Sequence, residues 1–136
     1  MFAMWLLPLL PQASLLAKDV RRAVAIVLVL VGQGIAIAGV IAFRRARTTI
    51  NPVRASEASS LVSNGIYRVT RNPMYLGWAI TLIAWAVYLG NAIALALVPF
   101  FVWYITRFQI KPEERILSQL FGSQFNSYSS QVRRWI

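Results

Sequence analysis

The sequence holds no cysteine and no histidine among its 136 residues, and only 4 aspartates and glutamates. Without cysteine there is neither a disulfide framework nor a thiolate nucleophile. Without histidine the commonest zinc ligand and the commonest general base are both missing. A metal site, Ser-His catalysis and histidine-ligated haem are therefore not expected. The acids are Asp19, Glu57, Glu113 and Glu114, and each falls outside the long apolar blocks. That placement counts against a small four-span transporter, the non-enzyme alternative, because such a pump needs an ionisable group within a span.

What the chain has in place of these groups is apolar length. Hydrophobic residues make up 58% of it and charged residues 13%. The 14 lysines and arginines give a formal charge of +10. They flank the apolar blocks rather than line a polar domain, so they read as anchors at a membrane surface and not as a nucleic-acid footprint.

The spacing predicts an all-α integral membrane protein, one domain over residues 1–136, with about four transmembrane helices including a helical hairpin. The first span, 2–17, is short and interrupted by Pro8 and Pro11. Lys18 to Arg22 reads as a brief polar connection before a second span at 23–43, where Gly32, Gly34 and Gly39 permit close helix contact. Gln33 lies near the middle of that span and needs a partner inside the bundle. Arg44, Arg45 and Arg47 end it. Between Arg71 and Arg107 no residue is charged, and Gly90-Asn91 near the middle is a turn signal. A hairpin with arms at 74–89 and 92–108 follows.

Two polar segments remain, a loop at 48–73 and a tail at 109–136. The loop is long enough to suggest function, although residues 55–62 equally suit an amphipathic helix on the membrane surface. In the tail, apolar residues recur at helical spacing to a stop at Gly122, and Arg133-Arg134-Trp135 reads as an interfacial anchor. The positive-inside rule puts the loop and the C-terminal helical segment on the cytoplasmic side. The Lys18–Arg22 segment then faces out against the rule, and the larger count decides.

This topology brings two separated stretches to one membrane face. Pro73 is suited to the first position of a helix, with Asn72 near the cap and Arg68 and Arg71 just outside. A helix start offers free N–H groups and partial positive charge to a carboxylate or phosphate. Glu113-Glu114 offers carboxylates to an ammonium. Together they suit a zwitterion. Each stretch also has a plainer reading: arginines anchored at lipid headgroups, and favourable acid charge in the turn after Pro112.

Gly65-Ile66-Tyr67-Arg68, then Arg71-Asn72-Pro73-Met74-Tyr75-Leu76-Gly77, then Glu113-Glu114 and Phe121-Gly122, in that order, resemble the isoprenylcysteine carboxyl methyltransferase and phospholipid methyltransferase family. The likeness runs from Thr48 to Ile136. It implies a multi-pass membrane enzyme that uses S-adenosylmethionine and releases S-adenosylhomocysteine. The implied cofactor contacts are Ser59, Ser60, Leu61, Val62, Tyr67, Asn72, Pro73, Met74, Tyr75 and Glu113. The implied acceptor is a lipophilic or prenylated molecule reached from the bilayer, most simply an isoprenylcysteine carboxylate; the alternative is a phospholipid amine. Two positions depart from the pattern. Asn72 stands where the family commonly has histidine, and Gln109 where the prenylcysteine enzymes place a substrate-binding arginine, which leaves Arg107 as the nearest candidate for substrate positioning.

The implied chemistry suits the missing residue types. Methyl transfer from a sulfonium needs in-line placement and no metal. A carboxylate acceptor is already ionised at neutral pH, whereas an ammonium must first lose a proton. With no histidine, only Glu113, Glu114 or a tyrosine could take that proton, which tilts the expectation towards the carboxylate.

Overall fold

The computed structural model describes residues 17–46 and 60–136. The span expected at 2–17 lies, apart from its last residue, outside them, as do Ser59 and most of the suggested surface helix at 55–62. Every regular element among the described residues is helical: α1 (Lys18–Arg45), a single 3-10 turn (Gly65–Arg68), α2 (Pro73–Leu89), α3 (Ala92–Ile105), a π turn (Thr106–Ile110), α4 (Lys111–Phe121) and α5 (Ser123–Gln131).

α1 is longer than its sequence suggested. Lys18 to Arg22 is not a connection but the first turn of the helix itself. Nothing there breaks a helix, and Asp19 in the first turn and Arg44 and Arg45 in the last complement the helix dipole. Its 28 residues extend about 42 Å, more than the roughly 30 Å of a hydrocarbon core.

α1 and α2 run antiparallel in close contact. Gly39 lies against Pro73 and Met74, and Gly32 against Gly77, Ile80 and Thr81. A methyl group added at Gly32 would sit 2.7 Å from the Gly77 carbonyl oxygen, and one added at Gly77 would collide with the Gly32 carbonyl. Gly34, by contrast, faces open space. Gln33 has the partner it needs, donating from Nε2 to Thr81 Oγ1 at 3.1 Å.

The hairpin expected at Gly90-Asn91 is present. Gly90 ends α2 with φ 64°, a left-handed conformation open to glycine. Asn91 then caps α3, its Oδ1 accepting from the N–H groups of Ile93 at 2.9 Å and Ala94 at 3.4 Å. Ala86 and Ala94 are buried at this end, covered by Leu82, Trp85, Leu89 and Leu97.

The return arm does not stop where its apolar run stops. It continues as one helix from Ile93 to Phe121. Pro112 has no N–H to give and its ring crowds the carbonyl one turn back, and the helix widens into π turns over Thr106–Ile110 just before it. Gly122, with φ 47°, ends α4 as expected.

Among the described residues two helices, Lys18–Arg45 and Ile93–Phe121, are long and apolar enough to cross a membrane; α2 is apolar but shorter. Large apolar side chains stand exposed along both, among them Leu30 and Ile26 on α1 and Phe100 and Trp103 on α3. Lipid is the solvent that such faces suit, and the chain reads as a membrane protein.

The α1–α2 contact yields a direct test. Gly77→Ala should destabilise the protein by about 1–3 kcal/mol through overpacking. Gly34→Ala should be neutral or gain up to about 1 kcal/mol of helix propensity. Thermal unfolding in detergent compares the two, and equal effects would contradict the contact.

Candidate functional site

Antiparallel packing of α1 on α2, and of α2 on α3, gathers the end of α1, the start of α2 and the π turn at one end of the bundle. The site is built there from residues far apart in sequence, Tyr75 and Glu113 being 38 positions apart.

Tyr75 lies in the first turn of α2 and Glu113 in the first turn of α4. The Tyr75 hydroxyl donates to Glu113 Oε1 at 2.9 Å, and Gln109 Nε2 donates to the same oxygen at 2.8 Å. Gln109 precedes Glu113 by four residues, one helical turn, so the bond needs only a shared face. Both donors are neutral, so they orient the carboxylate without cancelling its charge.

The neighbouring acid is treated differently. Glu114 receives a two-pronged contact from Arg134, Nε to Oε1 at 2.9 Å and Nη2 to Oε2 at 2.7 Å. Arg71 Nη1 stands 3.3 Å from Glu114 Oε1 on the other side. This is the geometry in which guanidinium binds carboxylate best. Adjacent glutamates thus have different surroundings: Glu114 meets two cations, and Glu113 meets two neutral donors.

Burial raises the Glu113 carboxyl above its usual 4.5; the hydrogen bonds from Gln109 and Tyr75 oppose the rise and the charge of Glu114 adds to it. Glu113 lies beyond the apolar run that ends at Phe108. A half-buried carboxylate with no cation beside it among the described residues is a ready partner for a cationic ligand.

Tyr67 backs the pair. It is 4% exposed, its ring meets Phe43 of α1 edge-on at 5.4 Å, and its carbonyl accepts from the Tyr128 hydroxyl at 2.7 Å. Burial raises its phenol pKa, with Tyr128, Glu113 and Tyr75 all acting in the same direction, which places it among these three groups. On the Tyr128 side opens a polar cavity of about 820 Å³, whose wall includes Ser60, Leu61, Arg68, Phe121, Gln124 and Tyr128. Among the residues flagged by sequence, Ser60 also donates to the Ala46 carbonyl at 3.3 Å, and Val62 is buried. Pro73 and Met74 press on Gly39 of α1. Ser59 lies outside the described residues.

Three residues are placed more sharply by the structure. Asn72 stands at the cap position of α2, but its side chain forms no cap, and its Nδ2 donates to the Arg134 carbonyl at 2.9 Å. Arg107 does not reach the Glu113 cluster; it is exposed, with its guanidinium 5.8 Å from the Phe108 ring centroid, while Gln109 contacts Glu113. The helix turns 100° per residue, so Arg107 and Gln109 face apart. Arg134 and Trp135 are not solely a surface anchor, since Arg134 holds Glu114 and Trp135 Nε1 donates to Thr106 Oγ1 at 3.1 Å. The glutamine's spacing from Glu113 was visible in the sequence. The pairing of Glu114 with Arg134, 20 residues on, had no sequence signal.

The profile of the phospholipid methyltransferase family matches residues 20–124. The chain is 31% identical to protein-S-isoprenylcysteine O-methyltransferase A of Arabidopsis thaliana, over 79% of this chain and 54% of that protein. It is 35% identical to the Dictyostelium discoideum protein-S-isoprenylcysteine O-methyltransferase over 53% of this chain and 30% of that one. An uncharacterized Haemophilus influenzae protein is 41% identical over its whole length, 46% of this chain. The chain thus spans about half the length of the Arabidopsis protein. No solved structure matches it significantly.

The contrast between the two acids is measurable without ligand. Glu114→Gln should cost about 2 kcal/mol at neutral pH, because two guanidiniums lose a charged acceptor. Glu113 behaves oppositely. A carboxyl whose pKa is higher folded than unfolded stabilises the fold below the unfolded value and loses that contribution as pH rises through the folded one. Glu113→Gln cannot ionise, so its stability relative to the parent should improve from about pH 4.5 upward. Unfolding midpoints across pH check this, and parallel profiles for parent and Glu113→Gln would refute it.

Proposed function

This chain belongs to the phospholipid methyltransferase family, and we propose that it is a membrane methyltransferase that uses S-adenosylmethionine to methylate the carboxylate of a lipophilic, isoprenylcysteine-like acceptor. The observation that carries the reading is Glu113, a half-buried carboxylate oriented by two neutral donors and, among the described residues, paired with no cation. That donor set fits the donor molecule, which carries an ammonium, a sulfonium and a carboxylate.

When bound, S-adenosylmethionine supplies a methyl group on a positively charged sulfur. Glu113 holds the ammonium, and Tyr75 and Gln109 keep its carboxylate aimed. The start of α2, with no side chain capping it, presents N–H groups and the positive end of a helix dipole to the carboxylate. The polar cavity beyond Tyr67, which includes Ser60 and Leu61 in its wall, receives the remaining, uncharged part. Asn72 and Pro73 fix where α2 begins and so where Tyr75 stands. Gln109, bonded to Glu113, replaces any arginine at that turn.

The acceptor reading rests on chemistry and on the relatives' names. An acceptor carboxylate is ionised at neutral pH and requires no base. A low-dielectric site would favour the mutual neutralisation of a bound sulfonium and an acceptor carboxylate. An isoprenoid tail would lie among the exposed apolar side chains of the helices, in the lipid. The bundle end that holds the site faces the cytoplasm in this reading, with Arg44, Arg45, Arg68, Arg71, Arg107 and Lys111 gathered there. A span at 2–17 would complete four crossings.

Calorimetry in detergent should show the folded protein binding S-adenosylhomocysteine. Glu113→Gln should weaken that binding by about thirty- to a hundredfold, the loss of one charged hydrogen-bonded partner. No binding by the parent at millimolar ligand would overturn the reading. Incubation with labelled S-adenosylmethionine and a panel of prenylcysteine and phosphatidylethanolamine acceptors then identifies the acceptor; label in the amine alone would replace the carboxylate.

Orientation has its own test, helped by the absence of native cysteine. Ile93→Cys and Arg115→Cys, both at exposed positions, should react with an impermeant thiol reagent from opposite sides of the membrane. Labelling of both from one side of intact cells would refute the hairpin's crossing.

A further inference from the structure

The last five residues form an irregular strap across the site end of the bundle. From the strap, the Arg133 carbonyl accepts from the Arg71 N–H at 3.1 Å, and the Arg134 carbonyl accepts from Asn72 Nδ2 at 2.9 Å and Thr70 Oγ1 at 3.4 Å. Thr70 in turn accepts the Asn72 N–H at 3.1 Å. The strap's side chains reach the other way. Arg134 binds Glu114 on α4, and Trp135 binds Thr106 at the π turn. One face of the strap therefore holds the turn that begins α2, and the other holds the helix that carries Gln109 and Glu113.

The two halves of the site have little else in common. Tyr75 belongs to α2 and Glu113 to α4, and a 2.9 Å hydrogen bond joins them. A π turn just before α4 makes its rotation sensitive to whatever grips it. The Arg71–Glu114–Arg134 cluster supplies that grip, and is itself half-buried rather than fully solvated, with Arg71 13% and Glu114 18% exposed at the side chain.

We propose that Arg134 is a positioning residue for the donor site: by binding Glu114 through its side chain and the Arg71-Asn72 turn through its backbone, it sets α4 against α2 so that Glu113 alone faces the ligand. The proposal rests on the methyltransferase reading given above. It also accounts for Asn72. An asparagine before a helix usually caps it with its own side chain, but here the strap draws that side chain away and the helix start stays uncapped.

The test uses the full chain in detergent, S-adenosylhomocysteine as the probe, and a temperature well below each variant's unfolding midpoint. Arg134→Gln should bind about tenfold more weakly. Arg134→Lys, which keeps the charge but loses the two-pronged geometry, should fall between. Glu114→Gln should weaken binding to a similar degree, and the Glu114→Gln/Arg134→Gln pair no further than the worse single change, because both act through one contact. In turnover the donor KM should rise in Arg134→Gln while kcat at saturation stays within about twofold. A merely structural arginine would lower the unfolding midpoint and leave affinity unchanged, and a folded Arg134→Gln binding within twofold of the parent overturns the proposal. If that variant does not fold, Arg134→Lys decides, and parent-like affinity there overturns it equally. Failure of the parent itself to bind would overturn the methyltransferase reading and the strap with it, which separates the two failures.

Discussion

The arrangement depends first on two helix backbones touching. Gly32 and Gly77 bring α1 and α2 so close that either would clash if it carried a side chain. In lipid no hydrophobic force drives helices together, and close packing between small residues takes that role. The consequences run the length of the pair. With Gly32 on Gly77, Gly39 falls on Pro73 and Met74, and Phe43 meets Tyr67. The long arginine-tipped helix thereby fixes the start of α2, where the chemistry-bearing motif begins. The Gln33–Thr81 bond satisfies the polar pair that this contact would otherwise leave in the apolar layer.

On that base the protein separates two carboxylates that are adjacent in sequence. Successive helical residues point 100° apart, so Glu113 and Glu114 cannot share surroundings. Glu114 points to Arg71 and Arg134 and becomes a structural fastener. Glu113 points to a tyrosine and a glutamine, both neutral donors. Two acids adjacent in sequence thus become one carboxylate held by neutral donors and one tie between distant segments. Charge neutralisation at Glu114 also limits how far the second acid can disturb the first.

The membrane class, the hairpin and the family were legible because each rests on a local, strong signal. The uncharged run from Arg71 to Arg107, broken by Gly90-Asn91, permits few structures other than two antiparallel helices. The motif at 71–77 and the glutamate at 113 carried the family likeness, and the profile match over residues 20–124 agrees with it. Less was legible at element ends. Lys18 to Arg22 looked like a loop because it is charged, yet nothing in it opposes a helix, and α1 absorbs it. Charge alone does not end a helix.

By itself, the sequence determined what the protein is made of and where its apolar segments turn, since backbone groups in lipid must be satisfied within a helix. It also left no histidine or thiol in this chain for catalysis. Tertiary structure alone decided which polar groups meet. Asn72 and Arg134, 62 residues apart, and Tyr75 and Glu113, 38 apart, are joined only by packing. No periodicity encodes such pairs, because a hydrogen bond depends on side-chain direction within a few tenths of an ångström, and that direction is set by how the helices rest on one another.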